Sequence, residues 1–468
     1  MGGWQCRLQP LHARREYPNR SRNGDWIATF LGVDIVTAKL RTDADQHMNR
    51  APGSPTGPLL GCTVAEALSL IDERLSCLPQ ERISTLTAAG RRLAQPAIAI
   101  ASVPGFRRAA MDGFAIRFED ASTLADGDEV SLTVVGESLP GKPFTGTIGP
   151  GECTAIATGA VVPNAADTLV RWESVDRRGE KILIRRPVEA QKDVAPADED
   201  IPAGRVIVSP PRTLRPQDIA ACRSAGLREI DVTRMPRVGI LATGDELVPP
   251  TATPSIGRII DSNSLLLRPL IERDGGQAIA AGDEEAGILP DNFEVIRSVV
   301  AALAERVDCV LISGGTSHGT GDHTVAVLGA LGTVVFRGVG IRPAAPVAFG
   351  MIRHVPVVLL PGNPVACLFG YDLFARRAIR ILGSRDTDWP YPRRTMRLCQ
   401  PIRSPRGVLE YVRVRRSDDD TVEPVWPRGA SILSSTVTAD GFVLVPEEID
   451  GYETGRSVEV HFYDNPHL

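Results

Sequence analysis

Four loops that could do chemistry fall between residues 240 and 365 of this 468-residue chain. They read Thr243-Gly244-Asp245-Glu246-Leu247, Pro290-Asp291-Asn292, Ser313-Gly314-Gly315-Thr316-Ser317 and Pro361-Gly362-Asn363-Pro364. Adjacent carboxylates such as Asp245 and Glu246 can hold Mg2+, a hard cation that takes oxygen ligands and keeps waters. Two acids opening a helix also suit its dipole, so the pair alone supports both readings. The Ser-Gly-Gly loop continues to Asp322, ten residues with four glycines and no apolar side chain. Glycines let the backbone approach a ligand, and amides at the next helix start favour a phosphate. The loop lacks the Lys-Ser/Thr ending of a Walker loop and does not match G-x-G-x-x-G. An ordinary flexible loop is the alternative. His318 and His323 share it with Asp322, too few ligands for a metal site, and read as a solvated or ligand-contacting pair.

These loops need a scaffold. Apolar runs at 238–241, 307–312 and 355–360 precede three of them, and helical patterns follow each. Repeated strand, loop and helix form a parallel sheet, with ligands outside the carboxyl ends of its strands. All four loops should therefore converge on one edge. A helix is expected at 262–273 and strands at 277–280 and 333–336. Asp291 with Glu294 is expected to cap a helix whose Val295, Val299 and Leu303 share a face. Pro364 suits the first turn of a helix over 365–380.

Outside that segment, Thr63-Val64-Ala65-Glu66 is a capping box, and Val64, Leu68, Ile71 and Leu75 fall on one helical face. Short strands at 130–135, 153–158, 168–172 and 181–184, divided by Gly and Pro, make 101–200 a separate β-rich unit. Residues 81–100 and 201–234 connect, with one helix near 217–225. Residues 386–468 alternate again as a small β domain. Residues 1–58 show no sustained period and read as a disordered tail, with Met48 an alternative start.

Composition narrows the function. Hydrophobic content of 43% and charged content of 23% are those of a soluble globular chain. A net charge of −5 argues against general nucleic-acid binding. No apolar run is long enough for a membrane span, and nothing after Arg14-Arg15 reads as a signal-peptide core. Eight scattered cysteines without a C-x-x-C pair look like buried free thiols in a reducing cytoplasm. Lysine is confined to Lys39, Lys142, Lys181 and Lys192, so 48 of the 52 basic residues are arginines. No lysine can serve a site built from the second half of the chain.

Further short segments complete a pattern. Val103-Pro-Gly105, Ala110-Met-Asp-Gly-Phe-Ala115, Thr158-Gly-Ala160 with Pro163, Glu199-Asp-Ile201, Asp261-Ser-Asn263, and Ser431 with Ser434-Ser435 interleave with the four loops. In this order, across roughly residues 60 to 468, the set resembles the molybdopterin molybdenumtransferase family, MoeA of bacteria and the E domain of gephyrin in animals. The resemblance implies a multi-domain α/β fold. A discontinuous molybdopterin-binding domain would comprise 59–80 and 235–385, with a connecting domain from 81–100 and 201–234. The β-rich domain 101–200 would complete the active site of the other subunit in a homodimer, and 386–468 would form a β-barrel. Members insert molybdenum from molybdate into adenylated molybdopterin, with Mg2+-dependent release of AMP. Carried-over catalytic positions are Asp112, Thr158, Asp200, Glu246, Asp291, Asp322 and Arg342. Asp245 and Glu246 would hold the metal. Ser313, Gly314, Gly315, Ser317, Pro361, Gly362, Asn363 and Pro364 would bind the pterin. Implied partners are molybdopterin adenylyltransferase and apo-molybdoenzymes, with no nucleic acid and no membrane.

The chain departs from that family where positive charge is expected. Lys-Pro-Gly-Lys-Pro appears as Arg342-Pro343-Ala344-Ala345-Pro346, and an upstream lysine aligns with Gly338. An arginine expected before Glu199 is absent, and Thr320 and His323 replace a Glu and a Tyr. Arg337, Arg258 and Arg413 are the candidates to restore charge. Two functions follow: a molybdotransferase, or a carrier that binds molybdopterin or finished cofactor without inserting metal. A clustering scaffold is a weaker third, with no extra domain to support it.

Overall fold

A computed structural model describes residues 59–125, 127–280, 287–316 and 323–464. The expected tail and the loop residues Ser317, His318, Thr320 and Asp322 lie outside the described residues. The central sheet contains β1 (Leu59–Cys62), β2 (Arg237–Thr243), β3 (Gln277–Ala280), β4 (Ile288–Leu289), β5 (Cys309–Ser313), β6 (Thr333–Val339), β7 (Ala348–Ile352) and β8 (Val355–Leu360). Its spatial order is β1-β6-β7-β8-β5-β2-β3, with β4 also pairing β2. Every neighbour pair is parallel except those of β7, which runs against β6 and β8. Only Arg353 and His354 separate β7 from β8. A two-residue link makes a hairpin, because a parallel crossover needs a dozen residues or more.

All of β5 and β8 is buried. That is why they read as unbroken apolar runs: helices cover both faces of the sheet. Ile71 of α1 (Val64–Asp72) and Leu267 and Ile271 of α2 (Ser262–Arg273) pack on one face with Leu311 and Phe336. On the other, Ile296 and Val300 of α3 (Phe293–Ala304) and Val327 of α4 (His323–Leu331) pack with Val310 and Val357. The Thr63 capping box forms as expected. At α3 the cap is Asn292 rather than Asp291: its Oδ1 accepts from the amides of Glu294 and Val295 at 3.0 and 3.1 Å. The buried face runs through Ile296, Val300 and Leu303 rather than Val295 and Val299, and Val295 is 38% exposed. Pro364 opens α5 (Pro364–Gly370), which widens into a π-helical turn at Tyr371–Ala375 before continuing as Arg376–Leu382.

The β-rich segment forms one six-stranded sheet from Gly113–Ile116 to Lys181–Ile184. Near the C-terminus, Leu409–Arg416, Thr421–Pro424, Arg393–Leu398, Ser457–Phe462 and Gly441–Val445 pair in sequence, and Glu410 opposite Val445 closes the ring into a barrel. Buried charges tie the sheet to the chain entering that barrel. Arg273 of α2 donates to Asp274 at 2.8 Å, to Asp372 at 3.0 Å and to the Tyr391 hydroxyl at 2.9 Å. Removing one partner of such a buried set strands an uncompensated charge.

Two local features yield tests. Ala344 holds φ 85, a left-handed conformation, although it is 3% exposed. An L-residue pays roughly 1–2 kcal/mol there, against which glycine's looser unfolded state costs about 0.4–1 kcal/mol. Ala344→Gly should raise unfolding stability by about 0.5–1 kcal/mol in urea titrations. His461 stacks on Phe442 inside the barrel, ring centroids 4.9 Å apart, and burial pushes its pKa down to about 4. Glu459 Oε1, 3.5 Å from Nε2, pulls the other way but is half exposed, so burial prevails. The unfolded chain takes up this proton near pH 6.5 and the folded one only near 4. Stability from this group is therefore complete above pH 6.5 and falls on acidification, by on the order of 3 kcal/mol at pH 4. His461→Phe should flatten that acid limb in denaturation curves taken between pH 7 and 4.

Candidate active site

Register brings the loops together. Ala242 lies opposite Ser313 and Ser313 opposite Leu360, so β2, β5 and β8 end level with one another. Beyond these ends opens a crevice of about 1040 Å3. Its walls include Gly244, Glu246, Asp291, Ser313 to Thr316 and Pro361 to Pro364, together with Gly61, Asp261, Asn263, Arg337, Gly338 and Ser431. Gly314 shows why glycine is needed: at φ 95 a Cβ there would meet the Thr243 carbonyl oxygen at 2.4 Å. Asn263, at the start of α2, ties two loops by donating from Nδ2 to the Gly362 carbonyl at 2.9 Å and to Ser313 Oγ at 3.4 Å.

One corner is acidic. Asp245 Oδ1 accepts the amide of Asp291 at 3.2 Å, and Glu246 lines the crevice beside them. Burial, with the charges of Asp245 and Glu246 behind it, holds the Asp291 carboxyl above the usual carboxylate range, while His323 opposes. Because Asn292 caps α3, Asp291 is left to the crevice. Arg258 donates to the Asp245 carbonyl, so it braces this loop. Among the described residues no three acidic, histidine or cysteine side chains close around one point. The acids make an open site, of the kind Mg2+ occupies when substrate phosphates complete its shell.

Three expected residues lie elsewhere. In the β-rich unit, Asp112 Oδ1 accepts from the Thr158 amide at 2.7 Å and its hydroxyl at 2.9 Å. Those two bonds hold the Asp112 carboxyl below its ordinary range. Neither residue, nor Asp200, lines the crevice of its own chain. Glu199 itself pairs with Arg108, whose Nη2 lies 2.7 Å from Glu199 Oε2.

Arg342 is also outside the crevice. The short strand Ile341–Arg342 pairs with the barrel strand, setting Arg342 opposite Glu410, and its Nε lies 3.7 Å from Glu410 Oε1. There it lines an adjoining cavity of about 390 Å3 with Arg413 and Arg428. Ala345, Pro346, Pro361 and Asn363 wall both spaces. Arg413 is 3% exposed yet its Nε has no partner, and Arg428 Nη1 is likewise buried and unpartnered. Of the candidate compensating arginines, Arg337 faces the crevice and Arg413 the adjoining cavity. Arg428 joins Arg413 because Leu409–Arg416 pairs antiparallel with Thr421–Pro424. Thr243, Asp261, Asn263 and Ser431 also line the crevice, and all four had stood out only as parts of a motif.

Residues 62–226 match the MoeA N-terminal region (domain I and II), 239–381 the family described as "Probable molybdopterin binding domain", and 395–463 the MoeA C-terminal region (domain IV). A molybdopterin molybdenumtransferase of Nostoc is 31% identical over 66% of this chain and 71% of its own length. Another from Haemophilus influenzae is 28% identical over 86% of this chain and 99% of its own. The crystal structure of a molybdopterin biosynthesis MoeA protein from Pyrococcus horikoshii superposes with a TM-score of 0.75 at 29% identity, covering 86% of this chain and all of that one. Three regions matched in order, with a relative above 30% identity aligned over most of its length, make this chain a member of the MoeA family.

Proposed function

We propose that this chain inserts molybdenum into adenylated molybdopterin and releases AMP. Family membership supports a role in molybdenum cofactor biosynthesis, and its relatives bear the name molybdopterin molybdenumtransferase. One observation carries the finer reading. A crevice floored by strand-end loops and acids shares a wall with a cavity lined by Arg342, Arg413, Arg428 and Glu410, where Arg413 Nε and Arg428 Nη1 have no partner. Amides of the Gly314 and Gly362 loops hold the pterin phosphate. Asp245 and Glu246 would hold Mg2+, which when bound neutralises pyrophosphate charge. Asp291, whose pKa burial raises, takes a proton from the water that attacks the phosphoanhydride. The bond between phosphorus and the bridging oxygen breaks, and AMP leaves. Molybdate occupies the arginine cavity, where Arg413 and Arg428 donate to its oxygens across the shared wall from the pterin.

In this reading Asp112, Thr158 and Asp200 act on the crevice of a second copy, since their own lies apart. A carrier without metal insertion remains the second reading. It is favoured by Gly338 and Ala345, uncharged on the crevice wall where the family resemblance expects lysines.

Purified protein with adenylated molybdopterin and molybdate should release AMP; pterin binding with no AMP release would establish the carrier instead. Arg413→Gln should raise the molybdate concentration for half-maximal release about ten- to a hundredfold, the loss of one charge-assisted hydrogen bond. Asp112→Asn and Glu246→Gln variants should each be inactive alone and recover partial activity once their subunits are mixed and exchanged. No recovery after verified exchange would remove the second copy from the site.

A further inference from the structure

Two acceptors in the crevice have nothing to accept from. Asp261 is 2% exposed and Asn263 6%, and both line the crevice at the first turn of α2. Asp261 caps that helix, its Oδ1 accepting the Ser264 amide at 3.1 Å, while Oδ2 has no partner. For Asn263 the orientation follows from its neighbour. The Gly362 carbonyl can only accept, so Nδ2 must face it and Oδ1 is the atom left unpartnered. No ion pair reaches Asp261 among the described residues. A buried carboxylate oxygen and a buried amide oxygen without donors are costly, and native structures rarely keep such groups without a reason.

The missing partner must therefore supply donors. It must also be slender, since even a Cβ added to Gly362 would stand only 3.5 Å from Gly314 Cα. A flat heterocycle with neighbouring N–H groups meets both demands. We infer that Asp261 and Asn263 recognise the 2-amino-4-oxopyrimidine edge of the pterin, whose ring N–H and exocyclic amine face these two oxygens. This deepens the reading proposed above and rests on the pterin occupying this crevice. It assigns Asp261 two tasks: Oδ1 caps the helix and Oδ2 selects the ring. An adenine ring presents no such pair of adjacent donors. The same residues therefore fix which end of the adenylated substrate enters the slot, leaving the adenylate outside it.

The test compares two ligands differing only at that edge, 6-hydroxymethylpterin and 6-hydroxymethyllumazine, the second carrying oxygen in place of the amine. Binding is measured by titration calorimetry on the full chain. The wild type should prefer the pterin by at least about tenfold, as expected when a donor is removed from a site built to accept it. Asp261→Asn keeps the cap, because asparagine caps as well as aspartate, and its melting midpoint verifies the fold. It presents an amide in place of Oδ2 and should lose most of that preference. Equal affinity of the wild type for the two rings, or an unchanged preference in Asp261→Asn, overturns the inference while leaving a pterin crevice intact. Should the variant not fold, the wild-type ratio decides alone. No binding of either ring, in protein that also fails to release AMP, would bring down the proposed function itself.

Discussion

Level strand ends are the constraint on which this molecule depends. Ala242, Ser313 and Leu360 stand side by side across β2, β5 and β8 because hydrogen-bond register leaves them no other choice. A slip of one residue in any pair would send buried side chains to the wrong face, and complete burial of β5 and β8 forbids it. The loops that leave those ends are thus held by the core rather than by each other. Asn263 adds a single strut between them through Gly362. Pre-organisation of this kind lets weak individual contacts act together on a ligand.

The two sides of the shared wall differ in charge, although Arg337 lines the acidic side and Glu410 the other. Carboxylates gather at Asp245, Glu246 and Asp291, and guanidinium groups gather at Arg342, Arg413 and Arg428, with Ala345, Pro346, Pro361 and Asn363 between. In the proposed reading the arginine side suits a dianionic oxyanion, and the acidic side suits a metal ion that meets the pyrophosphate. The arginine-rich composition bears on this. Arginine keeps its charge when buried and offers a planar fork to an oxyanion, which suits a chain with no lysine beyond Lys192.

Much of this was legible in the residues, for physical reasons. Helix α2 and strands β3 and β8 fall where periodicity puts them, since apolar runs of that length have few other ways to be buried. Acid and glycine loops announce themselves because their residue types are costly elsewhere. What could not be read was set by distant pairing. Arg342 faces Glu410 because its two-residue strand joins the barrel, and Arg413 meets Arg428 because Leu409–Arg416 pairs back on Thr421–Pro424. The cap of α3 misled by one position, as Asp291 and Asn292 cap equally well and only packing chooses. Asp261 was hidden in the opposite way: its role as a helix cap is a sufficient account of an aspartate there, and only the orphaned second oxygen says more.

The short strand β1 carries a final implication. It lies at the sheet's border alongside β6, Leu59 across from Phe336, and its Gly61 forms part of the crevice wall. Trimming the polypeptide beyond residue 58 would strip the amides and carbonyls of Thr333–Val339 of their outer neighbour. Bare strand borders of that kind recruit other chains and invite aggregation. Loss of Leu59–Cys62 should therefore cost solubility and ligand affinity together.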